Sequence, residues 1–330
     1  MRRRHWLGVA LGAGAALAGG AAGAAPDGAP PRAWRRRALL GFGTTLTLQA
    51  GHDDPRRLDA ALDAAVRTLR DIERQMSLFD PDSALSRLNR DGRLTDPPAD
   101  LLAVLRLARD VSAASGGAFD VTVQPLWEAW ASAARAGRLP EPKALADARR
   151  RVDWRALVVE PGLVRFAQRG MAATLNGIAQ GHAADRVRDV LRAHGIRHAL
   201  VDAGEWAALG RRADGGRWTL GVADPHRPDA WAARLLADGR CVATSADSEA
   251  AFSADRRHHH IVDPRTGRSP PGVAAVTVLA RRGALADALT KVMFVAGAPR
   301  ALELARAWDV DVLVVDKAGR RFASPGLPQA

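Results

Sequence analysis

The sequence predicts an α+β domain, because helical and strand-like segments follow one another in irregular order. Some helical patterns stand alone and others are adjacent, and several strand-like runs succeed each other without an intervening helix. Strict alternation of strands and helices would instead be typical of a doubly wound parallel sheet. No linker after Pro31 is long enough to separate two domains. We therefore expect a single domain with mixed or antiparallel sheets and packed helices.

Helices give the clearest patterns in the first half of the chain. Alternating Thr and apolar residues over 44–49 are typical of a strand. Apolar residues then recur on one helical face over 54–77 and again over 98–114, where paired glycines end the pattern. A short helix is expected over 140–150, and two apolar runs around a Pro-Gly turn predict a hairpin over 157–166.

Strand-like runs are more frequent in the second half. One helical face predicts a helix over 178–194, and two further helices are expected over 285–295 and 299–308. Short apolar runs bounded by turn residues predict strands over 199–201, 218–222, 234–237, 241–244, 259–262, 273–280 and 310–315.

The N-terminal segment has the composition of an export signal. Three arginines at 2–4 precede a weakly apolar Gly/Ala stretch, and small residues at 22–24 provide a cleavage site. Twin arginines followed by Trp-Leu suit the twin-arginine route, and an ordinary secretory signal is the alternative. We expect an exported, periplasmic protein with no permanent membrane span after processing. The expected divisions are an export signal over 1–25, a Pro- and Arg-rich joint over 26–37 and one domain over 38–330.

Charge and cysteine content exclude several classes of protein. The net charge is +12, but the first 37 residues contain seven Arg and one Asp and so hold half of it. No basic run is interleaved with aromatic residues, so nucleic-acid binding is not expected. One cysteine among 330 residues excludes an intramolecular disulfide and a Cys-rich zinc site. Cys241 lies in an apolar run and is expected to be a small buried residue.

Common catalytic motifs are absent from the sequence. It contains no P-loop and no G-x-S-x-G nucleophile elbow, and the glycines at 41 and 43 lack the third glycine of a dinucleotide-binding motif. The three histidines at 258–260 cannot converge on one metal ion if they lie on a strand, because adjacent side chains there point to opposite faces.

Five segments rich in Gly, Asp or Ser remain, placed where loops meet helices. Paired glycines allow close approach of the backbone to a ligand, and a helix start offers N–H groups to a phosphate. Each segment alone is more often structural than functional. In chain order they are the Ser-rich segment 76–89, Gly-Gly-Ala-Phe-Asp at 116–120, Asn-Gly-Ile-Ala-Gln-Gly at 176–181, His-Ile-Val-Asp-Pro-Arg-Thr-Gly at 260–267 and Ala-Asp-Ala-Leu-Thr-Lys at 286–291.

Together and in this order, the segments resemble the ApbE-type FAD:protein FMN transferases, over about residues 42–325. The resemblance implies an α+β fold, export, and transfer of FMN from FAD onto a Thr hydroxyl of a flavoprotein in a membrane-associated redox system, with release of AMP. It implies His260 for proton transfer or phosphate stabilisation, and Asp287 as a second catalytic residue. It implies a Mg²⁺ site formed by Gly177, Asp287 and Thr290. The FAD site that it implies consists of Phe42, Phe79, Ala118, Phe119, Asp120, Thr174, Gln180 and Ile261.

The sequence also departs from the family pattern. Lys291 stands where a hydroxyl residue is expected, with Thr290 one position early, and Glu205-Trp206 replaces a Gly-Asp pair. A protonated Lys cannot coordinate Mg²⁺ but can stand beside a phosphate as a point charge. Two alternatives to an FMN transferase therefore remain open. One is a Mg²⁺-dependent FAD pyrophosphatase, and the other is an FAD-binding protein that has lost turnover.

Overall fold

The structure, a computed structural model, describes residues 31–227 and 229–330. The expected export signal over 1–25 lies outside these residues. The strands in the described ranges are β1 (Ala33–Gly41), β2 (Thr44–His52), β3 (Arg93–Thr95), β4 (Leu157–Glu160), β5 (Leu163–Phe166), β6 (His198–Asp202), β7 (Trp206–Leu209), β8 (Thr219–Ala223), β9 (Trp231–Leu236), β10 (Cys241–Ala246), β11 (Val273–Ala280), β12 (Asp311–Asp316) and β13 (Arg321–Ala323). The α-helices there are α1 (Pro55–Met76), α2 (Ala84–Asp91), α3 (Ala99–Ala114), α4 (Gln124–Arg135), α5 (Pro142–Arg149), α6 (Ala179–Ala193), α7 (Gly283–Ala296) and α8 (Ala298–Ala307).

One large antiparallel sheet organises the molecule. Its eight strands lie in the order β1-β2-β6-β7-β10-β11-β12-β13. Side chains alternate between its two faces: on β12, Val312 and Val314 join the core beneath the helices, while Leu313 and Val315 join a second core on the other face. Both faces of the sheet are therefore buried, which explains the almost continuous apolar runs of its central strands.

Helices α1, α6, α7 and α8 cover one face of this sheet, and the β8-β9 hairpin packs on the other. The sequence of helix α1 explains where the helix begins and which face it buries. The Asp54 side chain accepts hydrogen bonds from the Arg56 and Arg57 amides, Pro55 occupies the first turn, and apolar residues line one buried face. A three-stranded sheet, β3-β5-β4, lies beside this core. Within 31–227 and 229–330, no helix is long and apolar enough to cross a membrane.

The α+β prediction is confirmed, and every predicted helix is present with boundaries within a few residues. The strand predicted over 259–262 is wrong: His259 makes only an isolated bridge to Ala251, and the segment otherwise forms a loop. The composition of 26–37 predicts a joint, but residues from Ala33 onward form edge strand β1, whose consecutive arginines obscure the strand pattern. Helix α4 and the strands β3, β7 and β13 were not predicted, because each is short or lacks a clear period.

Candidate active site

A cleft of about 320 Å³ opens between the start of α6, the loop that follows α3 and the loop that follows β10. This volume lies within the range of small-molecule sites, about 300–1,000 Å³. The cleft collects eight of the residues predicted for the site, from three separate segments of the chain. These are Ala118, Phe119, Asp120, Thr174, Gly177, Gln180, His260 and Ile261.

The Gly-Gly-Ala-Phe-Asp segment forms one wall. Gly117 has φ +78°, a left-handed conformation that glycine adopts without strain, and it turns the chain so that Ala118 and Phe119 face the cleft. The Asp120 carboxylate is occupied by structural hydrogen bonds, from the Thr122 amide and hydroxyl at 2.8 and 2.7 Å and from the Trp154 amide at 2.9 Å. Burial raises the pKa of the Asp120 carboxyl, and these hydrogen bonds oppose the increase. Asp120 thus lies in the wall mainly as an organising residue.

Residues 174–180, which lead into the first turn of α6, form the adjoining wall. Thr174 is held by its amide, which donates to the Val121 carbonyl at 2.8 Å, and its hydroxyl accepts from the Asn176 amide at 3.3 Å. Gln180 packs against Gly204, where a Cβ atom would stand only 2.2 Å from the Gln180 Nε2 atom. The predicted helix-start site for phosphate is partly used within the protein itself, because the Gly181 amide donates to Asp287 Oδ2 at 3.2 Å.

The three consecutive histidines have three different environments. His258 stacks on Trp130 with ring centroids 4.7 Å apart, and His259 is fully buried. Burial lowers the pKa of His259 to about 4, so its imidazole is neutral at pH 7. Only His260 lines the cleft, with Nδ1 3.2 Å from the Ala250 carbonyl oxygen and Nε2 3.9 Å from Glu249 Oε2. The three rings therefore have different contacts, and they lie on a loop instead of the strand that the sequence predicts.

The base of the cleft contains a buried ion pair on α7. Lys291 Nζ donates to Asp287 Oδ1 at 2.5 Å and to the Asp287 carbonyl at 3.2 Å. Asp287 is 1% exposed and lies behind Lys291, which is 20% exposed and lines the cleft. Glu205, also buried, accepts from the Thr244 amide at 3.0 Å. The ammonium thus separates the cleft from Asp287.

Burial and charge act in opposite directions on this cluster. Burial is the main reason that the pKa of Glu205 lies well above its usual value; the negative charge of Asp287 adds to the increase and Lys291 opposes it. Burial disfavours the charged form of Lys291, but the carboxyl groups of Asp287 and Glu205 outweigh this effect and raise the pKa of the ammonium. Lys291 is therefore a stable cation.

The residues implied for Mg²⁺ do not fit a divalent cation. Both oxygens of Asp287 are engaged, one by Lys291 and the other by the Gly181 amide. The Thr290 hydroxyl is fully buried, donates to the Asp287 carbonyl at 2.6 Å and pairs with the Ser245 hydroxyl at 2.8 Å. Across residues 31–227 and 229–330, no group of three or more His, Cys, Asp or Glu side chains is placed to hold a metal ion. An ammonium stands among the carboxylates instead.

The remaining two predicted site residues lie next to the main cleft. Phe42 and Phe79 border a smaller cavity that shares Gln180 and Asn176 with it. Phe42 has φ +50°, which is unusual for a side chain of this size, and its amide donates to Glu73 Oε1 at 2.7 Å. Phe79 is 68% exposed. The two phenylalanines therefore border the neighbouring cavity and not the base of the cleft.

Trp127 and Arg256 are among the cleft residues that had no recognisable signal in the sequence. Trp127 comes from the unpredicted helix α4, and Arg256 has φ +55° in a loop where its guanidinium donates to the Pro225 carbonyl at 2.8 Å. Lys317 anchors this loop by donating to the Arg256 carbonyl at 2.9 Å and by pairing with buried Asp247. Contacts this distant along the chain cannot be inferred from local periodicity.

Cys241 is buried on β10, as predicted, but its surroundings are polar. Its sulfur accepts from Arg188 Nη1 at 2.9 Å and lies 3.5 Å from Asp185 Oδ1. Burial raises the pKa of the Cys241 thiol to about 12, and the Asp185 carboxylate adds to the shift. A thiol with so high a pKa is not a nucleophile at neutral pH.

Comparison with characterised proteins finds relatives along most of the chain. A protein of Treponema pallidum named FAD:protein FMN transferase is 33% identical over 314 residues, covering 88% of this chain and 87% of the relative. A protein of the same name from Vibrio cholerae is 31% identical over 294 residues, covering 85% of this chain and 87% of the relative.

Solved structures give the same result for the fold. The flavin transferase ApbE of Vibrio cholerae superposes with a TM-score of 0.79 at 26% identity, over 89% of this chain and 98% of the other. The ApbE protein of Thermotoga maritima superposes equally well, with a TM-score of 0.79 at 26% identity over 89% of this chain and 97% of the other. Residues 42–314 match the ApbE family. The chain therefore belongs to the ApbE family.

Proposed function

We propose that this protein is an FAD:protein FMN transferase that moves FMN from FAD onto a Thr hydroxyl of a flavoprotein. The threonine oxygen forms a bond to the FMN phosphorus, and the bond from that phosphorus to the bridging oxygen of the pyrophosphate breaks. AMP leaves with the bridging oxygen, and the hydroxyl proton passes to a base.

One observation carries this proposal: four segments far apart in the sequence converge on a single cleft. They bring together an aromatic and apolar wall at Phe119 and Ile261, Gly177 just before the start of α6, and cationic side chains at Lys291 and Arg256. An isoalloxazine ring needs apolar walls, and a pyrophosphate needs positive charge and N–H donors. The relatives named as FAD:protein FMN transferases support the same assignment.

His260 is the residue that we assign to proton transfer. A carbonyl oxygen can only accept, so the contact between His260 Nδ1 and the Ala250 carbonyl requires the proton to be on Nδ1. In the neutral ring with its proton on Nδ1, Nε2 is the atom that can accept the proton of the threonine hydroxyl. General base catalysis of this kind contributes about 10²–10⁴-fold to a rate.

Magnesium has no step in this proposal. The carboxylate of Asp287 and the hydroxyl of Thr290 are held by neighbouring groups of the protein, as described above. We therefore assign the neutralisation of phosphate charge to side chains, chiefly to cations that line the cleft.

The decisive experiment is intact-mass spectrometry of an acceptor domain that contains the target threonine, incubated with this protein and FAD. A mass gain equal to FMN is expected, with loss of the gain when the acceptor threonine is changed to Val. Free FMN and AMP without labelled acceptor would indicate pyrophosphatase activity. Bound, intact FAD with no product would instead identify an FAD-binding protein without turnover.

We further propose that the protein acts in the periplasm on a flavoprotein of a membrane-associated redox system. The twin arginines and the Gly/Ala stretch of the N-terminal segment support export. Cell fractionation should find the full chain in the periplasm of a Gram-negative host, and a variant with Arg3→Lys and Arg4→Lys should remain in the cytoplasm. Equal export of both would indicate the ordinary secretory route, and cytoplasmic retention of both would contradict export.

A further inference from the structure

The ion pair between Asp287 and Lys291 at the base of the cleft is more buried than most ion pairs between residues four positions apart on a helix. A Lys four residues after an Asp on a helix commonly forms a weak surface pair. Here the Asp287 side chain is 1% exposed, and Lys291 Nζ contacts both its carboxylate and its backbone carbonyl, at 2.5 and 3.2 Å. The ammonium is thereby fixed in position by two hydrogen bonds rather than moving freely in solvent.

The position of this ammonium also makes it accessible to a ligand. Lys291 lines the cleft together with Gly177, and a Cβ atom on Gly177 would stand 3.0 Å from Lys291 Cε. The lysine therefore lies against the segment that leads into α6, where the helix dipole favours negative charge. A phosphate entering the cleft meets Lys291 before it could reach Asp287.

Asp287 needs a positive partner because a buried carboxylate without one is strongly disfavoured. Either a divalent cation or an ammonium can meet that need, but one carboxylate oxygen cannot accommodate both at short distance. Glu205, a second buried carboxyl group, lines the same cleft as Lys291. The charge on Lys291 is thus a property of the folded protein and does not depend on an ion taken from solution.

We propose that the Lys291 ammonium is a built-in cation that binds the FAD pyrophosphate in the position of a divalent metal ion. This inference rests on the proposed function for the identity of the ligand. It makes two distinct claims: FAD binding needs no divalent cation, and removal of the lysine opens a cation site at Asp287.

The first claim is tested by titrating the purified protein with FAD, in EDTA and in Mg²⁺, with flavin fluorescence as the readout. For the wild-type protein the two dissociation constants should agree within about threefold. In EDTA, Lys291→Met should weaken FAD binding at least about tenfold, since it removes a charge-assisted contact. Lys143→Met, at an exposed position on α5, is the matched control and should bind as the wild type does.

The second claim is tested by binding of Mn²⁺ in the absence of FAD, followed by electron paramagnetic resonance. Lys291→Thr frees the Asp287 carboxylate and supplies a hydroxyl, so it should bind Mn²⁺, whereas the wild type should not. Circular dichroism and thermal unfolding establish that the variants are folded.

The inference is overturned if wild-type FAD binding requires Mg²⁺, if Lys291→Met binds FAD in EDTA as tightly as the wild type, or if folded Lys291→Thr takes up no Mn²⁺. Failure of the proposed function has a different signature. In that case FMN would not reach the acceptor under any condition, while FAD binding would still be insensitive to EDTA and sensitive to Lys291.

Discussion

Gly181 on α6 and Gly283 on α7 are in direct backbone contact, so that a Cβ atom on Gly181 would stand 2.1 Å from the Gly283 carbonyl oxygen. This close approach places the first turn of α6 against the helix that carries Asp287 and Lys291. It also allows the Gly181 amide to donate to Asp287. The geometry of the cleft therefore depends on two residues that have no side chain.

Gly181→Ala should destabilise the protein, because the new Cβ atom would clash with the backbone of Gly283, which cannot rotate away as a side chain can. Forced overpacking of this kind lowers the free energy of unfolding by about 1–3 kcal/mol, occasionally more. Urea unfolding monitored by circular dichroism measures the change. Gly272→Ala is the control, since a Cβ atom there meets nothing within 4 Å. Equal stability of the two variants would contradict the close packing of α6 on α7.

Asp185 joins the same two helices through its carboxylate. Its oxygens accept from the Gly283 and Ala284 amides at 2.8 and 3.1 Å and from buried Arg188 at 2.9 Å. Asp185→Ala removes this helix cap and leaves the guanidinium without its carboxylate, so we expect a loss of about 3–5 kcal/mol in the free energy of unfolding. Denaturant titration should show a far smaller loss for Asp189→Ala, whose side chain is 56% exposed. Similar losses for both variants would contradict the assigned role of Asp185.

His259 should make the protein less stable in mild acid. Burial lowers the pKa of His259 to about 4 from its ordinary value of 6.5, so the unfolded chain binds a proton that the folded protein does not. Stability is therefore retained above pH 6.5 and is lost as the pH falls from 6.5 towards 4, by up to about 3 kcal/mol. Urea unfolding at several pH values, compared with His259→Gln, isolates this contribution. Parallel pH profiles for the two proteins would refute it.

His260→Asn separates chemistry from binding. If His260 accepts the threonine proton, the rate of FMN transfer should fall about 10²–10⁴-fold, while the dissociation constant for FAD should change little. Stopped reactions analysed by intact mass give the rate, and flavin fluorescence gives the binding constant. A loss of FAD affinity as large as the loss of rate would show that His260 acts in binding instead.

Phe119 should contribute to flavin affinity through its ring. It is 6% exposed, lines the cleft and lies 3.6 Å from the Cβ position of Gly177. Stacking on an aromatic side chain contributes about 1–3 kcal/mol per base-like ring, so Phe119→Ala should weaken FAD binding by about 5- to 150-fold. Leu139→Ala, at a 54% exposed position, serves as the control. Unchanged affinity in folded Phe119→Ala would place the flavin elsewhere.

Local sequence patterns were sufficient for the fold class and most elements. Helix α1 follows from its apolar face and its Asp54 cap, and β11 follows from an unbroken apolar run. Both signals depend on residues a few positions apart. Strand β1 lacked such a signal, because it is an edge strand whose consecutive arginines face solvent or pair with α1.

The sequence by itself determined four of the segments that line the cleft, 116–120, 176–181, 260–267 and 286–291, since their order along the chain carries the resemblance to flavin transferases. Only the tertiary structure decided what the polar groups do there. The Asp120 carboxylate accepts hydrogen bonds from Thr122 and Trp154. The Asp287 carboxylate accepts them from Lys291 and Gly181. The spacing of Asp287 and Lys291 permits an ion pair on any helix. Burial against Gly181, 106 positions earlier in the chain, is what fixes that ion pair at the base of the cleft.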